Sequence, residues 1–214
     1  FIGQHLVKAL LQRKHKVKVL DTKAGELEKE AGQNLELTLG SIEDENIVKQ
    51  TVKDVDVLYH LALAYFGENY RSFEVNLKGT INLLEAAREN KVKQFLFTSS
   101  ETVYGKPRYL PIDEEHPCNP HESLYLEEKL YPIIKSVSEK LCLWYYGVHG
   151  LQVTVLRLTG VYENADFIVD KVMIKKAMSG KPIIVRRGEG WEYIHVDDAV
   201  QAILLATLNR KAYG

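Results

Sequence analysis

A repeated alternation between short runs of branched apolar residues and longer amphipathic stretches constrains this chain more than any other feature. Residues 4–14 place Leu6, Val7, Leu10 and Leu11 at helical spacing, and the run Val17-Lys18-Val19-Leu20 follows and ends at Asp21. The pattern returns as a strand over 35–39, a helix over 43–53, a strand over 56–61, a helix over 73–89 and a strand over 94–98. A turn-rich stretch over 105–121 then leads to a long helix over 131–148 and a strand over 153–158. Strands separated by helices of about ten residues or more join in parallel, through crossovers that lay helices on both faces of the sheet. The expected fold class is α/β, a doubly wound parallel sheet over residues 1–158. Residues 159–214 differ in texture, with a helix over 168–178, strand-like 183–185 and a helix over 198–208, and read as a small, incomplete C-terminal lobe.

Charge and composition narrow the partners. Twenty-eight basic side chains against 29 acidic ones, a net charge of -1, give no electrostatic footprint for nucleic acid or an anionic membrane, so a small-molecule ligand is expected. The 2 cysteines, Cys118 and Cys142, lack metal-ligand spacing, and the 7 histidines are scattered. Free thiols in a reducing compartment and no bound metal are the expectation. No apolar run reaches the roughly 18 residues of a membrane span, and the first residues lack a signal-peptide layout, so the cytoplasm is the expected location. Phe1 at one end and a helix running into Gly214 at the other read as a piece of a longer chain.

A dinucleotide site on such a sheet needs glycine between the first strand and first helix, so that backbone N–H groups can approach a pyrophosphate. Phe1-Ile2-Gly3 ahead of the first helix fits the last part of such a loop. Gly3 precedes Asp21 by about 18 residues, close to the separation at which a strand-end carboxylate takes the ribose hydroxyls. That carboxylate would repel a 2'-phosphate, which favours NAD; nearby Lys23 leaves NADP open, and Asp21 can equally start a turn. In the expected strand order 3-2-1-4 the strand before Gly3 lies in mid-sheet, so the residues given should form a split sheet and bind poorly alone unless an earlier or other segment fills the gap.

The most informative stretch contains Phe97-Thr98-Ser99-Ser100-Glu101-Thr102-Val103-Tyr104-Gly105, Pro111-Ile112-Asp113-Glu114-Glu115-His116-Pro117 and Tyr131-Pro132-Ile133-Ile134-Lys135. With His60-Leu61-Ala62, Val75-Asn76-Leu77-Lys78-Gly79-Thr80, Leu156-Arg157 and Tyr193-Ile194-His195-Val196-Asp197-Asp198, it resembles the NAD-dependent epimerase/dehydratase family of extended short-chain dehydrogenases/reductases. The resemblance covers essentially the whole chain in order. It implies a Rossmann-type fold, an NAD-dependent oxidoreduction on a nucleotide sugar, most simply 4-epimerisation through a transient ketone, and a homodimer built on the helices over 73–89 and 131–148.

The chemistry requires these residue types together. A hydride leaves a carbinol carbon easily only when the hydroxyl proton leaves too, so a base must stand beside the nicotinamide. Tyrosine, with a free pKa of about 10, serves if its phenolate is stabilised by about 3 units, roughly 4 kcal/mol. A lysine one helical turn later lies on the same face and supplies positive charge. The resemblance assigns Tyr131 as base and acid, Lys135 as its cation and bond to the nicotinamide ribose, and Ser100 as the hydroxyl that orients the reacting oxygen. Tyr125 and Lys129 share the spacing, but proline costs about 3 kcal/mol inside a helix and is tolerated in its first turn, so Pro132 marks Tyr131 as a helix start. Glu139 and His149-Gly150-Leu151 also fit the family in the Tyr131 register alone.

Further roles come from the resemblance: Ile2, Gly3, Asp21, Ser41, Ile42, Leu61, Ala62, Leu63, Asn76 and Thr159 at the cofactor, and Thr102, Gly160, Arg186 and Arg187 at the substrate. His195 and Asp197-Asp198 would anchor the small lobe and cap its last helix. The chain departs from the pattern at Ser41, in place of an aspartate near the adenine, and at Gly160, in place of an asparagine. It departs again at 188–192, which lacks a diphosphate-gripping arginine that Arg186 or Arg187 would replace. Glu101-Thr102 lacks the second acid of the dehydratases. The alternatives are an NAD(P)-dependent reductase or dehydrogenase of a small carbonyl compound and a non-catalytic dinucleotide-binding sensor.

Overall fold

Helix α1 (Ile2–Gln12) turns Leu6, Val7 and Leu10 inward at the predicted helical spacing. Lys14, at a φ of 64°, then reverses the chain into β1 (Val17–Asp21). The computed structural model describes residues 1–23, 25–30, 32–64, 66–122, 129–164, 171–182 and 192–214, with backbone alone for 171–174. Strand β2 (Leu35–Leu39) lies parallel to β1, Val17 opposite Leu35 and Asp21 opposite Leu39. Helix α2 (Glu45–Val52) starts where the Asp44 carboxylate accepts the N–H groups of Asn46 and Ile47. Strand β3 (Val57–His60), helix α3 (Tyr70–Glu89), strand β4 (Gln94–Ser100), helix α4 (Leu130–His149) and strand β5 (Val153–Leu158) follow.

Strands β3, β4 and β5 form one parallel sheet in sequence order. The seven residues of β4 are all buried, and alternation divides them between two faces. Phe95 and Phe97 enter a cluster with Val48 and Val52 of α2, Leu84 and Ala87 of α3, and Cys142 and Tyr145 of α4. Leu96 enters the opposite cluster with Leu6 and Leu10 of α1 and with Val196, Val200 and Ile203 of α6 (Val196–Ala206). Helices therefore cover both faces, as the alternation predicts. Truncating Phe95 or Phe97 to alanine would cost about 3–5 kcal/mol through lost burial and the cavity left behind.

Two boundaries move for identifiable reasons. Helix α3 begins at Tyr70 because Asn69 accepts the N–H groups of Arg71 and Ser72, a cap outside the apolar periodicity. Strand β4 runs on to Ser100 because Thr98, Ser99 and Ser100 stay paired with Leu156, Arg157 and Leu158 of β5. The short parallel pair β6 (Gly160–Tyr162) and β7 (Tyr193–His195) and helix α5 (Lys171–Met178) follow β5, whereas α6, expected in the small lobe, packs on the main sheet through Val196, Val200 and Ile203. The expected strand at 183–185 lies outside the described residues.

The β1–β2 pair and the β3–β4–β5 sheet do not hydrogen-bond to each other. Between their edges lies a cleft of about 1440 Å³, lined by Val17, Val19 and Leu20 on one side, Tyr59, Leu61 and Ala62 on the other, and Ile2, Gly3 and Leu6 of α1.

Candidate active site

The site gathers at the C-terminal ends of the strands, where crevices form in a doubly wound sheet. Asp21 ends β1 with its side chain exposed, accepting the N–H of Lys23 at 3.1 Å. Ile2 and Gly3 open α1, whose first turn has no side-chain cap and no acidic residue. Ile2, Gly3, Asp21, Ile42, Leu61 and Ala62 border the gap between the β1–β2 pair and the β3–β4–β5 sheet. These residues fit a dinucleotide: uncapped helix amides suit a pyrophosphate, and a strand-end carboxylate suits ribose hydroxyls. Ser41 accepts the N–H of Glu43 at 3.2 Å and so shapes the turn into α2. Neither Ser41 nor Leu63, which is exposed, is among the residues lining the cleft.

Asn76 proves to be a clamp. Its side chain accepts the Ala64 N–H at 3.0 Å and donates to the carbonyls of Ala64 and Ser72, each at 2.6 Å. Asn76 thereby fixes the loop that carries Leu61, Ala62 and Leu63 away from β3. One turn along α3, the Thr80 hydroxyl bonds the Asn76 carbonyl at 2.8 Å and meets His60 Nε2 at 2.9 Å. Burial, with the Lys135 charge as second cause, pushes the His60 pKa down to about 3. His60 is therefore neutral across the physiological range, and its role beneath the loop is structural.

Tyr131 and Lys135 lie in the first two turns of α4, and Pro132 between them falls in the first turn, where proline costs little. Tyr131 is half-buried and Lys135 is 5% exposed. The Lys135 ammonium donates to the Thr98 carbonyl of β4 at 2.8 Å and stands 4.9 Å from the centre of the Phe97 ring and 5.9 Å from that of Tyr131. Thr98 is two residues ahead of Ser100 on the same strand, so one hydrogen bond docks the start of α4 against the strand end that presents Ser100. Burial pulls the Lys135 pKa down to about 8, against the opposing pull of Glu139 and then Cys142. Lys135 is a cation near neutrality with little water around it, the setting in which a charge acts strongly on a neighbouring phenol. Ser100 Oγ accepts the Thr102 N–H at 3.3 Å and the Thr102 hydroxyl at 3.0 Å, an arrangement that orients the serine oxygen. The rival Tyr125 lies outside the described residues.

Beneath Lys135 lies a pairing of Glu139 with Arg157, two residues that the sequence names without linking. Glu139, 4% exposed, accepts two bonds from the Arg157 guanidinium of β5, at 3.0 and 2.9 Å. Arg157 lies 4.8 Å from the centre of the Tyr104 ring, and its bond to Glu139 raises its pKa further above the ordinary range. On the other side of the strand end, Glu101 is half-buried, and its carboxyl is pushed up by burial, against Thr159 and with Glu192. The Thr159 hydroxyl bonds the Glu192 carbonyl. A Cβ on Gly160 would meet the Tyr193 ring at 2.8 Å, so a glycine suits the close packing of β6 on β7. His195 caps α6 by accepting the Asp197 N–H at 3.3 Å, as expected. Arg186 and Arg187 lie outside the described residues.

An uncapped helix and a carboxylate at one end of a parallel sheet, and a buried lysine beside a half-buried tyrosine at the other, suit a nicotinamide-dependent oxidoreductase. The chain belongs to the NAD dependent epimerase/dehydratase family, whose model matches residues 1–213. It is 30% identical to a putative UDP-glucose 4-epimerase of Methanocaldococcus jannaschii over 96% of this chain and 70% of that protein. It is 32% identical to a UDP-N-acetyl-alpha-D-glucosaminuronate decarboxylase of Bacillus cytotoxicus over 100% of this chain and 70% of the other. The crystal structure of Thermus thermophilus UDP-glucose 4-epimerase in complex with NAD is similar at a TM-score of 0.76 and 25% identity, covering 98% of this chain and 72% of that one. The chain is thus an enzyme of the NAD-dependent class with the Rossmann-like fold expected of it, and its relatives include epimerases, a decarboxylase and 3-beta-hydroxysteroid dehydrogenases.

Proposed function

We propose that this protein catalyses reversible oxidation at a sugar carbon of a nucleotide sugar, most simply 4-epimerisation through a transient ketone. The observation that carries the reading is Lys135, held beside Tyr131 and pinned to the Thr98 carbonyl at 2.8 Å where burial makes its charge effective. A module that only bound dinucleotide would have no use for a dry cation beside a phenol. NAD, when bound, supplies the hydride acceptor. Tyr131 takes the hydroxyl proton as phenolate and returns it, Lys135 stabilises the phenolate, and the Ser100 hydroxyl orients the reacting oxygen. Ile2, Gly3 and Asp21 would hold the adenosine end, and the loop clamped by Asn76 would lie along the cofactor.

The relatives support a nucleotide-sugar substrate, since the names of both include a UDP-sugar. The site offers Thr102 beside Ser100 for the sugar. A homodimer is proposed with the same standing, supported by the exposed Ile81 of α3 and Leu143, Trp144 and Val148 of α4. No helix among the described residues is long and apolar enough to cross a membrane. To test the function, full-length protein is incubated with NAD and a panel of UDP-hexoses. Interconversion of 4-epimers with no net NADH is expected. Stoichiometric consumption or formation of NADH would establish the reductase or dehydrogenase alternative instead.

A further inference from the structure

Lys135 and Glu139 stand four residues apart on α4, the spacing at which a lysine and a glutamate ordinarily pair with each other. Here they do not. The Lys135 ammonium bonds the Thr98 carbonyl at 2.8 Å, and both Glu139 carboxylate oxygens are taken by Arg157, at 3.0 and 2.9 Å. The ordinary helix-face pair has been exchanged for two cross-links, one from α4 to β4 and one from α4 to β5.

Arg157 is built for this. Its side chain is 23% exposed against 5% for Glu139, so it meets a buried carboxylate from a wetter position. Two parallel bonds to a planar guanidinium saturate the carboxylate in a way a lysine cannot match. The Tyr104 ring lies 4.8 Å from the guanidinium, a cation–π contact that adds to its hold. We propose that Arg157 is a positioning residue for the catalytic lysine: by occupying Glu139 it keeps that carboxylate from drawing the Lys135 ammonium down the helix, away from Thr98 and Tyr131. This rests on the reading of Tyr131 and Lys135 as the catalytic pair.

The other titratable groups around Lys135 leave the choice to these residues. On α4 they are Tyr131, Glu139 and Cys142, from β3 His60, from β5 Arg157, and around Arg157 the Tyr104 ring and the Cys118 thiol. His60 is neutral above a pKa of about 3, and burial pushes both thiols up, so they carry no charge near neutrality. Among these described groups, Glu139 is the anion that Lys135 faces, and Arg157 is the cation that competes for it.

Two substitutions in the full-length protein give shifts of opposite sign. In Arg157→Met, Glu139 is left with Lys135 as its cation, so the Lys135 pKa, read by NMR of the labelled lysine side chain, should rise from about 8 by about one unit or more. The turnover number should fall about tenfold or more, since a one-ångström misplacement costs on that order. In Glu139→Gln, the carboxylate that raises the Lys135 pKa is gone, so the pKa should fall below about 8. The double variant, Arg157→Met with Glu139→Gln, should recover most of the turnover lost in Arg157→Met, because no carboxylate remains to misdirect the lysine. A merely structural role for Arg157 predicts no such rescue. The proposal is overturned if the Lys135 pKa is unmoved in Arg157→Met, if both single variants shift it in the same direction, or if the double variant is no more active than Arg157→Met. If Arg157→Met does not fold, the Glu139→Gln shift and the fold and turnover of the double variant still decide. The NMR readout needs no turnover, so failure of the catalytic reading, full activity in Lys135→Met, is recognised separately.

Discussion

Replacing Lys135 by methionine keeps the bulk of a buried side chain and removes its charge. The charge stands 5.9 Å from the centre of the Tyr131 ring. At an effective dielectric constant of about 20, a unit charge at that separation is worth about 3 kcal/mol to a phenolate, or about 2 pKa units. The fraction of Tyr131 ionised near neutral pH should fall about 100-fold, and turnover should fall with it. Stability should move the other way. The folded pKa of Lys135 is about 8 against an ordinary lysine value of 10.5, so between those values the unfolded chain binds more protons and stability rises with pH. Below pH 8 the buried ammonium costs roughly 3 kcal/mol, the pKa difference at about 1.4 kcal/mol per unit. Lys135→Met should therefore unfold at a higher temperature than the parent at pH 7, with the difference shrinking as pH rises above 8. Turnover of full-length protein and thermal melts over pH 6–10 test both halves. A folded Lys135→Met variant within about threefold of parental turnover would refute the electrostatic argument, since far more than 1 kcal/mol is being claimed.

Three further outcomes follow from the same geometry. Asn76→Ala strands the Ala64 N–H and carbonyl, and should lower stability by about 1–3 kcal/mol in chemical denaturation and weaken NAD affinity by loosening the loop over 61–64. His60, whose folded pKa of about 3 lies below the ordinary histidine value of 6.5, contributes stability that is complete above pH 6.5 and is lost as pH falls toward 3; in His60→Gln the acid limb of the stability curve should flatten across that window. Gly105, at a φ of 67°, would carry a Cβ 2.0 Å from the Asn119 carbonyl oxygen, so Gly105→Ala should displace the loop after Tyr104 and cost more than about 1 kcal/mol, measured by thermal melting.

The sheet and its helices were legible because period and length carry that information. Phe95 and Phe97 facing one cluster and Leu96 the other is the alternation of β4 written out in space. Tyr131 and Lys135 were legible through spacing and Pro132, and the structure seats them side by side. The Thr98 carbonyl that receives Lys135 could not be read, because a backbone acceptor leaves no trace in residue identity. The pairing of Arg157 with Glu139 was equally hidden. Residues 139 and 157 meet only because β5 returns beside α4, and the local i,i+4 spacing points Glu139 at Lys135 instead. Asn76 was read at the cofactor, but its reach to Ala64 depends on how the chain leaves β3. Ser41 and Gly160 were read through the family's pattern, whereas here one shapes a turn and the other admits the Tyr193 ring.

The most direct test of the central claim is the fate of a deuterium placed at carbon 4 of UDP-glucose, followed through turnover by full-length protein carrying NAD. Hydride chemistry at one site, with Tyr131 moving only the hydroxyl proton, predicts that the deuterium stays on carbon 4 of the epimer formed and that Tyr131→Phe forms almost none. Exchange of that deuterium with solvent, or undiminished conversion by Tyr131→Phe, would contradict the account.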